Sequence, residues 1–333
     1  MSKTGWAFIG ASTIADQWMI DAVRANGGEV LSLCSRDATR GSEFAARRGI
    51  AASYTDLDAA ISHPGVEAVY ISTTNELHLP QALAAIAAGK HVLCEKPLAL
   101  SLDDARRMVK AAADAGVVMG TNHHLRNAAT HRRIRELVQG GAIGKPLFAR
   151  VFHAVSLPAN LQGWRINNPG AGGGVILDIS VHDADTLRFA LGAEPESVVA
   201  LGSSGGMSSE GLEDGVMAAI LFDNGVVAQI HDAFNVPFAK TGFEIHGSEG
   251  SIVATDVMTQ RAVGDITLHN KQGSTAVPVE HENLYVRSVA CFEAAMRGEG
   301  KPAASGEDGV RSLATALAIQ EACRSGRRVT VAI

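Results

Sequence analysis

Between Gly5 and Thr121 short apolar runs alternate with alanine-rich amphipathic segments, and this alternation constrains the fold more than anything else in the chain. The runs Ala7–Ile9, Val30–Cys34, Ala68–Ser72, His91–Cys94 and Val117–Gly120 have the length of buried strands. Between them Ile14–Ala25, Thr39–Arg48, Pro80–Ala88 and Leu102–Ala115 have the length and spacing of helices. Pro80 suits a first helical position and Ser101 an N-cap, while Gly89 and Gly116 suit helix ends. Strands separated by helices cannot pair as hairpins, so repeated units of this kind imply a parallel sheet with helices on both faces.

After Thr121 the pattern changes. A helix over Thr130–Gln139 leads to a strand at Leu147–Val155, an irregular Gly/Pro/Asn stretch through Gly174 and a helix over Asp178–Leu191. From Val198 to Leu268 strands follow one another with turns such as Asp223-Asn-Gly225, which implies a largely antiparallel sheet. Two helices, Leu284–Arg297 and Asp308–Arg324, close the chain, the second capped by Ser305. The fold class expected is α/β: a nucleotide-binding Rossmann domain over 1–121, then an α/β domain with a mostly antiparallel open sheet over 122–333.

Composition narrows the function. In 333 residues, 46% are hydrophobic but only 5% aromatic, so the cores are expected to consist of Ala, Val, Leu and Ile. A net charge of −6 argues against nucleic acid, which needs a concentrated basic surface. The basic cluster His131-Arg-Arg-Ile-Arg135 reads as a solvated helix face. Cys34, Cys94, Cys291 and Cys323 lack metal-ligand spacing and fit a reducing compartment. No apolar leader follows Met1, and no run reaches the ~18 residues of a membrane span. A soluble cytoplasmic protein is expected, monomer or dimer being left open.

The first strand ends at Gly10-Ala11-Ser12-Thr13-Ile14-Ala15, where a dinucleotide fingerprint belongs. Gly10 allows the tight turn, Ser12 stands in for the second glycine and Ala15 is small enough for helix–strand packing. At the end of the second strand an NAD enzyme usually carries an acid; here stand Ser35 and Arg36, with Arg40 one turn on. A carboxylate ~5 Å from a 2′-phosphate would cost on the order of several kcal/mol, whereas Arg36 and Arg40 can grip that phosphate. The expected cofactor is therefore NADP(H), although Asp37 adds an opposing charge nearby. Ser72, Thr73, Thr74, Asn75, Glu76, Leu77 and His78 form a polar segment after another strand, suited to pyrophosphate and ribose oxygens or to capping the next helix.

Chemistry is expected at two further places. In His91-Val-Leu-Cys-Glu95-Lys96-Pro97 a strand ends in a charged pair, placing Lys96 at the carboxyl edge of the sheet, where ligands bind. Hydride transfer to a ketone leaves charge on oxygen, and Lys96 can neutralise or protonate it. In Gly172-Gly-Gly174-Val-Ile-Leu-Asp178-Ile-Ser-Val-His182-Asp-Ala-Asp185, Asp178 and His182 share one helical face, and a carboxylate there orients an imidazole. The glycines are expected to let the main chain approach a substrate. Asp178, His182 and Asp185 lack a further His or Cys to complete a tetrahedral metal site, so no metal is expected. Asn122, His123 and His124 follow the last Rossmann strand, and the histidines' roles stay open.

These motifs carry a resemblance. The fingerprint at Gly10, the Glu95-Lys96-Pro97 step and the glycine-rich entry to Asp178 and His182 resemble the Gfo/Idh/MocA oxidoreductases over the full chain. Gly120-Thr-Asn-His-His-Leu-Arg-Asn127, Leu161-Gln-Gly-Trp-Arg165 and Val181-His-Asp-Ala-Asp-Thr-Leu-Arg188 narrow it to bacterial sugar-ketone reductases of that family. The resemblance implies NADPH-dependent reduction of the C2 keto group of 1,5-anhydro-D-fructose to 1,5-anhydro-D-mannitol. It implies Lys96 and His182 as the catalytic pair with Asp178 orienting or binding substrate; which of the two delivers the proton stays open. It further implies Ser35, Arg36 and Arg40 as the 2′-phosphate clamp, and Glu95, Lys96, Asn122, Trp164, Arg165 and Tyr285 as cofactor contacts. Another sugar or polyol, or a redox-neutral NAD-dependent cleavage of glycosidic bonds, are the alternatives within the family.

Overall fold

The computed structural model describes residues 3–332. Among them, β1 (Gly5–Ile9), β2 (Glu29–Cys34), β3 (Ala52–Tyr54), β4 (Val66–Ile71), β5 (His91–Cys94) and β6 (Met119–Thr121) form a parallel sheet in the order β3-β2-β1-β4-β5-β6. A single π-helical turn, Ala15–Met19, runs into α1 (Ile20–Ala25), and α2 (Ala38–Arg48), α3 (Leu57–Ile61), α4 (His78–Ala87) and α5 (Leu102–Ala115) complete the crossovers. Local chemistry sets the helix starts. Asp37, Asp56 and Ser101 each accept a hydrogen bond from the backbone three residues on, at 3.0, 2.7 and 3.2 Å. Gly49 and Gly116 end α2 and α5 with φ of 63° and 67°, which side-chain-bearing residues rarely adopt.

The order reverses between β1 and β4, so their carboxyl ends, at Ile9 and Ile71, open the crevice where this topology holds its ligand. Two elements lie outside the simple alternation: β3 is three residues long and α3 five. Pro80 sits within the first turn of α4 rather than at its start, because the 3₁₀ turn Asn75–Leu77 runs directly into the helix at His78.

The chain forms two compact units, and each combines segments distant in sequence. Of the described residues, the first comprises 3–123 with Tyr285–Val310, so a single cut after Thr121 misses a return of the chain. That return brings α9 (Leu284–Met296) into the unit from Tyr285 onward. Phe292 packs 5.5 Å from the Trp6 ring, whose indole N–H donates to Glu293 at 3.0 Å. Phe8 lies 4.9 Å from Tyr70, and these buried aromatic pairs each contribute roughly 0.5–1.5 kcal/mol beyond area burial. A Cβ on Gly120 would meet Phe292 at 3.1 Å, hence the glycine in β6.

The second unit comprises 124–284 and 311–332 of the described residues. It contains α6 (Ala129–Gln139), β7 (Pro146–Ala154), α7 (Trp164–Asn167), a π turn Ile176–Ser180 leading into α8 (Val181–Leu191), and most of α10 (Gly306–Ser325). The remaining strands are β8 (Pro195–Ser203), β9 (Gly215–Phe222), β10 (Val227–Ala233), β11 (Gly242–Gly247), β12 (Gly250–Thr255), β13 (Asp265–Asn270), β14 (Gly273–Val277) and β15 (Val329–Thr330). With β7 they form one sheet ordered β14-β13-β12-β11-β7-β10-β9-β8-β15, antiparallel throughout except for the β7–β10 pair. Helix α8 packs on α6 and β7 and is buried on almost every side, His182, Asp183, Asp185 and Arg188 included. The cluster read as a solvated face is split: His131 turns inward, buried and stacked 5.9 Å from the Phe243 ring of the second sheet. Among the described residues no helix is long and apolar enough to cross a membrane.

Candidate active site

In the first unit the crevice is built from loops that grip one another. The Gly10 N–H donates to the Cys34 carbonyl at 2.9 Å, and Gly10 has φ 109°. A Cβ there would stand 3.0 Å from the Ser72 carbonyl oxygen, so glycine keeps the crevice open. Ser12 Oγ donates to Ser72 Oγ at 2.7 Å and accepts from the Ala15 N–H at 3.2 Å, joining the two loops across the reversal. Thr13 and Ile14 lie on the partly exposed rim, Ala11 is buried, and Ala15 is fully buried where the π turn begins. Single π turns of this kind recur at functional sites.

The neighbouring loop carries the charge. Ser35 is buried, and its N–H donates to Tyr54 at 2.9 Å. Arg36 and Arg40 are exposed, and the Arg40 guanidinium donates to the Ala11 carbonyl at 2.7 Å, tying it to the Gly10 turn. Asp37, the opposing charge, spends its carboxylate on capping α2. These residues could hold a dinucleotide: an open glycine turn for the pyrophosphate, and for a 2′-phosphate a strand end with Ser35 in place of an acid and two arginines beside it.

Around β4 and β5 the polar segment is largely self-satisfied. Thr73 donates to Gln81 and Thr74 to Glu76, both at 2.7 Å, while Asn75 is buried and Glu76 and Leu77 are partly or wholly exposed. His78 is fully buried, with Nδ1 2.8 Å from the Pro97 carbonyl and Nε2 3.3 Å from that of Thr73. Burial holds its imidazole below the ordinary range, so it braces the Lys96–Pro97 segment as a neutral ring. Lys96 is half-buried and joined to Pro97 by a cis peptide. Beside it, Glu95 accepts from the Tyr70 hydroxyl and the Asn122 amide, both at 2.6 Å. Burial raises the Glu95 carboxyl although both hydrogen bonds oppose the rise. The Asn122 oxygen accepts from Ser288 at 3.1 Å, and Tyr285 stacks on Trp18 at 5.2 Å, fully buried.

In the second unit the glycine run has a different use from the one expected. A Cβ on Gly173 would stand 2.7 Å from the Trp164 carbonyl, and the Gly174 N–H donates to the Arg165 carbonyl at 2.8 Å. The glycines therefore seat the Trp164–Arg165 turn rather than a substrate. That turn brings Arg165 Nε to 3.2 Å from Asp178 Oδ1, with the guanidinium 4.6 Å from the Trp164 ring. His182, buried at the start of α8, meets His124 edge-to-face at 4.8 Å, a neighbour that sequence reasoning left without a role. Sequence reasoning also missed the support beneath. Both oxygens of Asp185 are held by Arg126 at 2.7 Å, and Asp183 accepts from or shares a proton with His153 Nδ1 at 2.8 Å. A buried aspartate one residue from a candidate histidine is the signal that would have found this layer.

With both halves described, comparison with known proteins decides the family. Residues 4–123 match the oxidoreductase family with NAD-binding Rossmann fold, and 131–253 match the GFO/IDH/MocA C-terminal domain. The chain belongs to the Gfo/Idh/MocA oxidoreductases. Among relatives of this Gfo/Idh/MocA chain, the 1,5-anhydro-D-fructose reductase of Ensifer adhaerens is 57% identical over 98% of each chain. The myo-inositol 2-dehydrogenase of Thermotoga maritima is 28% identical over 86% of each. The solved aldose-aldose oxidoreductase of Caulobacter crescentus, complexed with glycerol, matches with a TM-score of 0.89 at 26% identity, over 99% of this chain and 100% of that one. Both the parallel sheet followed by a mostly antiparallel one and the nicotinamide-dinucleotide fingerprint agree with membership of the Gfo/Idh/MocA family.

Proposed function

We propose that the chain reduces the C2 keto group of 1,5-anhydro-D-fructose to 1,5-anhydro-D-mannitol with NADPH. The observation carrying this reading is the 57% identity, over 98% of both chains, to the Ensifer adhaerens enzyme. When bound, the reduced nicotinamide supplies a hydride to the carbonyl carbon. The chain's own residues do the rest. Ser35, Arg36 and Arg40 select the 2′-phosphate; Gly10 to Ile14 and Ser72 to Leu77 cradle the pyrophosphate and ribose, with Ala15, His78, Asn122 and Tyr285 buried behind them. Lys96 places positive charge beside the carbonyl oxygen and His182 delivers the proton that completes the alcohol. Asp178, fixed by Arg165, orients the sugar. Trp164 offers an aromatic face to the sugar or the nicotinamide half.

Four free cysteines support a reducing compartment, and we place the protein in the cytoplasm. The test is absorbance of NADPH with 1,5-anhydro-D-fructose and a panel of other sugar ketones. Turnover is expected for the anhydro sugar, giving the manno alcohol. Lys96→Ala and His182→Ala are each expected to lower kcat by roughly 10²–10⁴, the worth of a positioned proton donor. Near-normal turnover in both variants would remove the two residues from the mechanism, and a better substrate in the panel would replace the sugar.

A further inference from the structure

Helix α8 carries a second polar group beside His182, pointing into the sheet. Asp183 and Asp232 are both fully buried, one on α8 and one on β10. Each carboxyl has one oxygen engaged: Asp183 Oδ1 with His153 Nδ1 at 2.8 Å, and Asp232 Oδ2 with the Ser180 hydroxyl, which donates to it. His153 and Asp232 stand directly opposite each other on the parallel pair β7 and β10, so the sheet holds both on the side facing α8. The remaining oxygens, Asp183 Oδ2 and Asp232 Oδ1, meet no N–H or hydroxyl donor among the described residues. His153 touches Asp183 and stands beside Asp232, so the two carboxyls share one dry pocket and act on each other's ionisation. Two carboxylates sharing a dry pocket are disfavoured from both ionising, so one proton stays with the pair.

We propose that Asp183 and Asp232 are positioning residues of the reduction: one proton shared between them fastens α8 to the sheet and so fixes His182 and Asp178 for the sugar. The inference rests on the reading of His182 as proton donor. Burial raises both carboxyls, and the charge of Asp183 raises Asp232 further, so the pair holds its proton well above the ordinary carboxylate range. Of the other charged groups packed here, only His153 reaches the pair. Asp185 on α8 is neutralised by Arg126, with Arg188 3.6 Å away. His131 on α6 is held neutral by burial and by the charge of His153. His153 itself contacts Asp183, and His231 on β10 faces the opposite side against Phe152. Once the proton leaves, the two charges repel and α8 loosens.

Asp232→Asn tests this, because an amide keeps the shape and donates permanently to Asp183. Infrared spectra of the wild type at neutral pH are expected to show a protonated carboxyl band that disappears at alkaline pH and is absent in D232N. Hydrogen exchange of the α8 amides is expected to rise at alkaline pH in the wild type and stay flat in D232N. In turnover, wild-type kcat falls at alkaline pH with KM little changed. D232N keeps kcat within a few-fold and loses that fall, whereas Asp232→Ala lowers kcat by roughly 10–10² through misplacement of α8. Absence of the band in the wild type, or an unchanged alkaline response of exchange in D232N, overturns the proposal. The infrared and exchange readings need no substrate, so failure of the substrate assignment leaves them able to decide the clamp.

Discussion

Arg165 Nε lies 3.2 Å from Asp178 Oδ1, and the same guanidinium covers the Trp164 ring at 4.6 Å while donating to the Leu161 carbonyl at 3.1 Å. One cation thus joins an aromatic face, a turn and a carboxylate in the π turn just before α8. An isolated surface pair would be worth little, but this pair is mostly buried, and the guanidinium fork fixes direction as well as charge.

Arg165→Ala is therefore expected to lower kcat/KM for the sugar by roughly 10–10², with Arg165→Lys recovering only part because the ammonium lacks the planar fork. Thermal stability should change little between the two variants. Steady-state kinetics with both decide it, and equal activity for Ala and wild type would show that Asp178 needs no such support.

Ser35→Asp is expected to lower kcat/KM for NADPH by about 10², the order set by two charges ~5 Å apart at an effective dielectric of ~20. Efficiency with NADH should hold or rise, since an acid at this strand end suits a free ribose hydroxyl pair. The ratio of the two efficiencies is the measurement; a ratio that does not move would detach Ser35 from the choice of nucleotide.

His131 sets an acid limit on stability. Burial first, then the charge of His153, holds its pKa down to about 3, against an ordinary 6.5 in the unfolded chain. Between those values the unfolded chain binds a proton that the folded one does not, so stability rises with pH across that window and is lost as pH falls from 6.5 towards 3. The loss by pH 4 is on the order of 3 kcal/mol. His131→Gln, which does not titrate, should flatten this limb when denaturant midpoints are compared at pH 4 and pH 7. Equal acid losses in variant and wild type would mean the imidazole is not the group responsible.

Local chemistry made much of the fold readable. Ser101 and Gly116 bound α5 at Leu102–Ala115 because capping acts through neighbours three residues away. Apolar runs located five of the six parallel strands, while β3, half-exposed and three residues long, carries too little pattern to register. β14, Gly-Ser-Thr-Ala-Val at a sheet edge, is exposed along most of its length and so lacks alternation. The two π turns have no residue signature that sets them apart from α-helix, and the Gly172–Gly174 run could be explained only once the Trp164 and Arg165 carbonyls were seen against it. The partnership of Asp183 with Asp232 and His153 needed the strand register, because each residue alone reads as an ordinary polar side chain.

The late return of Tyr285–Val310 to the nucleotide-binding unit has a consequence during synthesis. A ribosome that has released residues 1–123 has exposed a half-built globule: Trp6 still lacks Phe292 and Glu293, and Asn122 lacks Ser288. Domains commonly mature in order of emergence, but this one must wait for almost the whole message to be translated. A nascent polypeptide stalled before residue 285 would carry that uncovered aromatic surface.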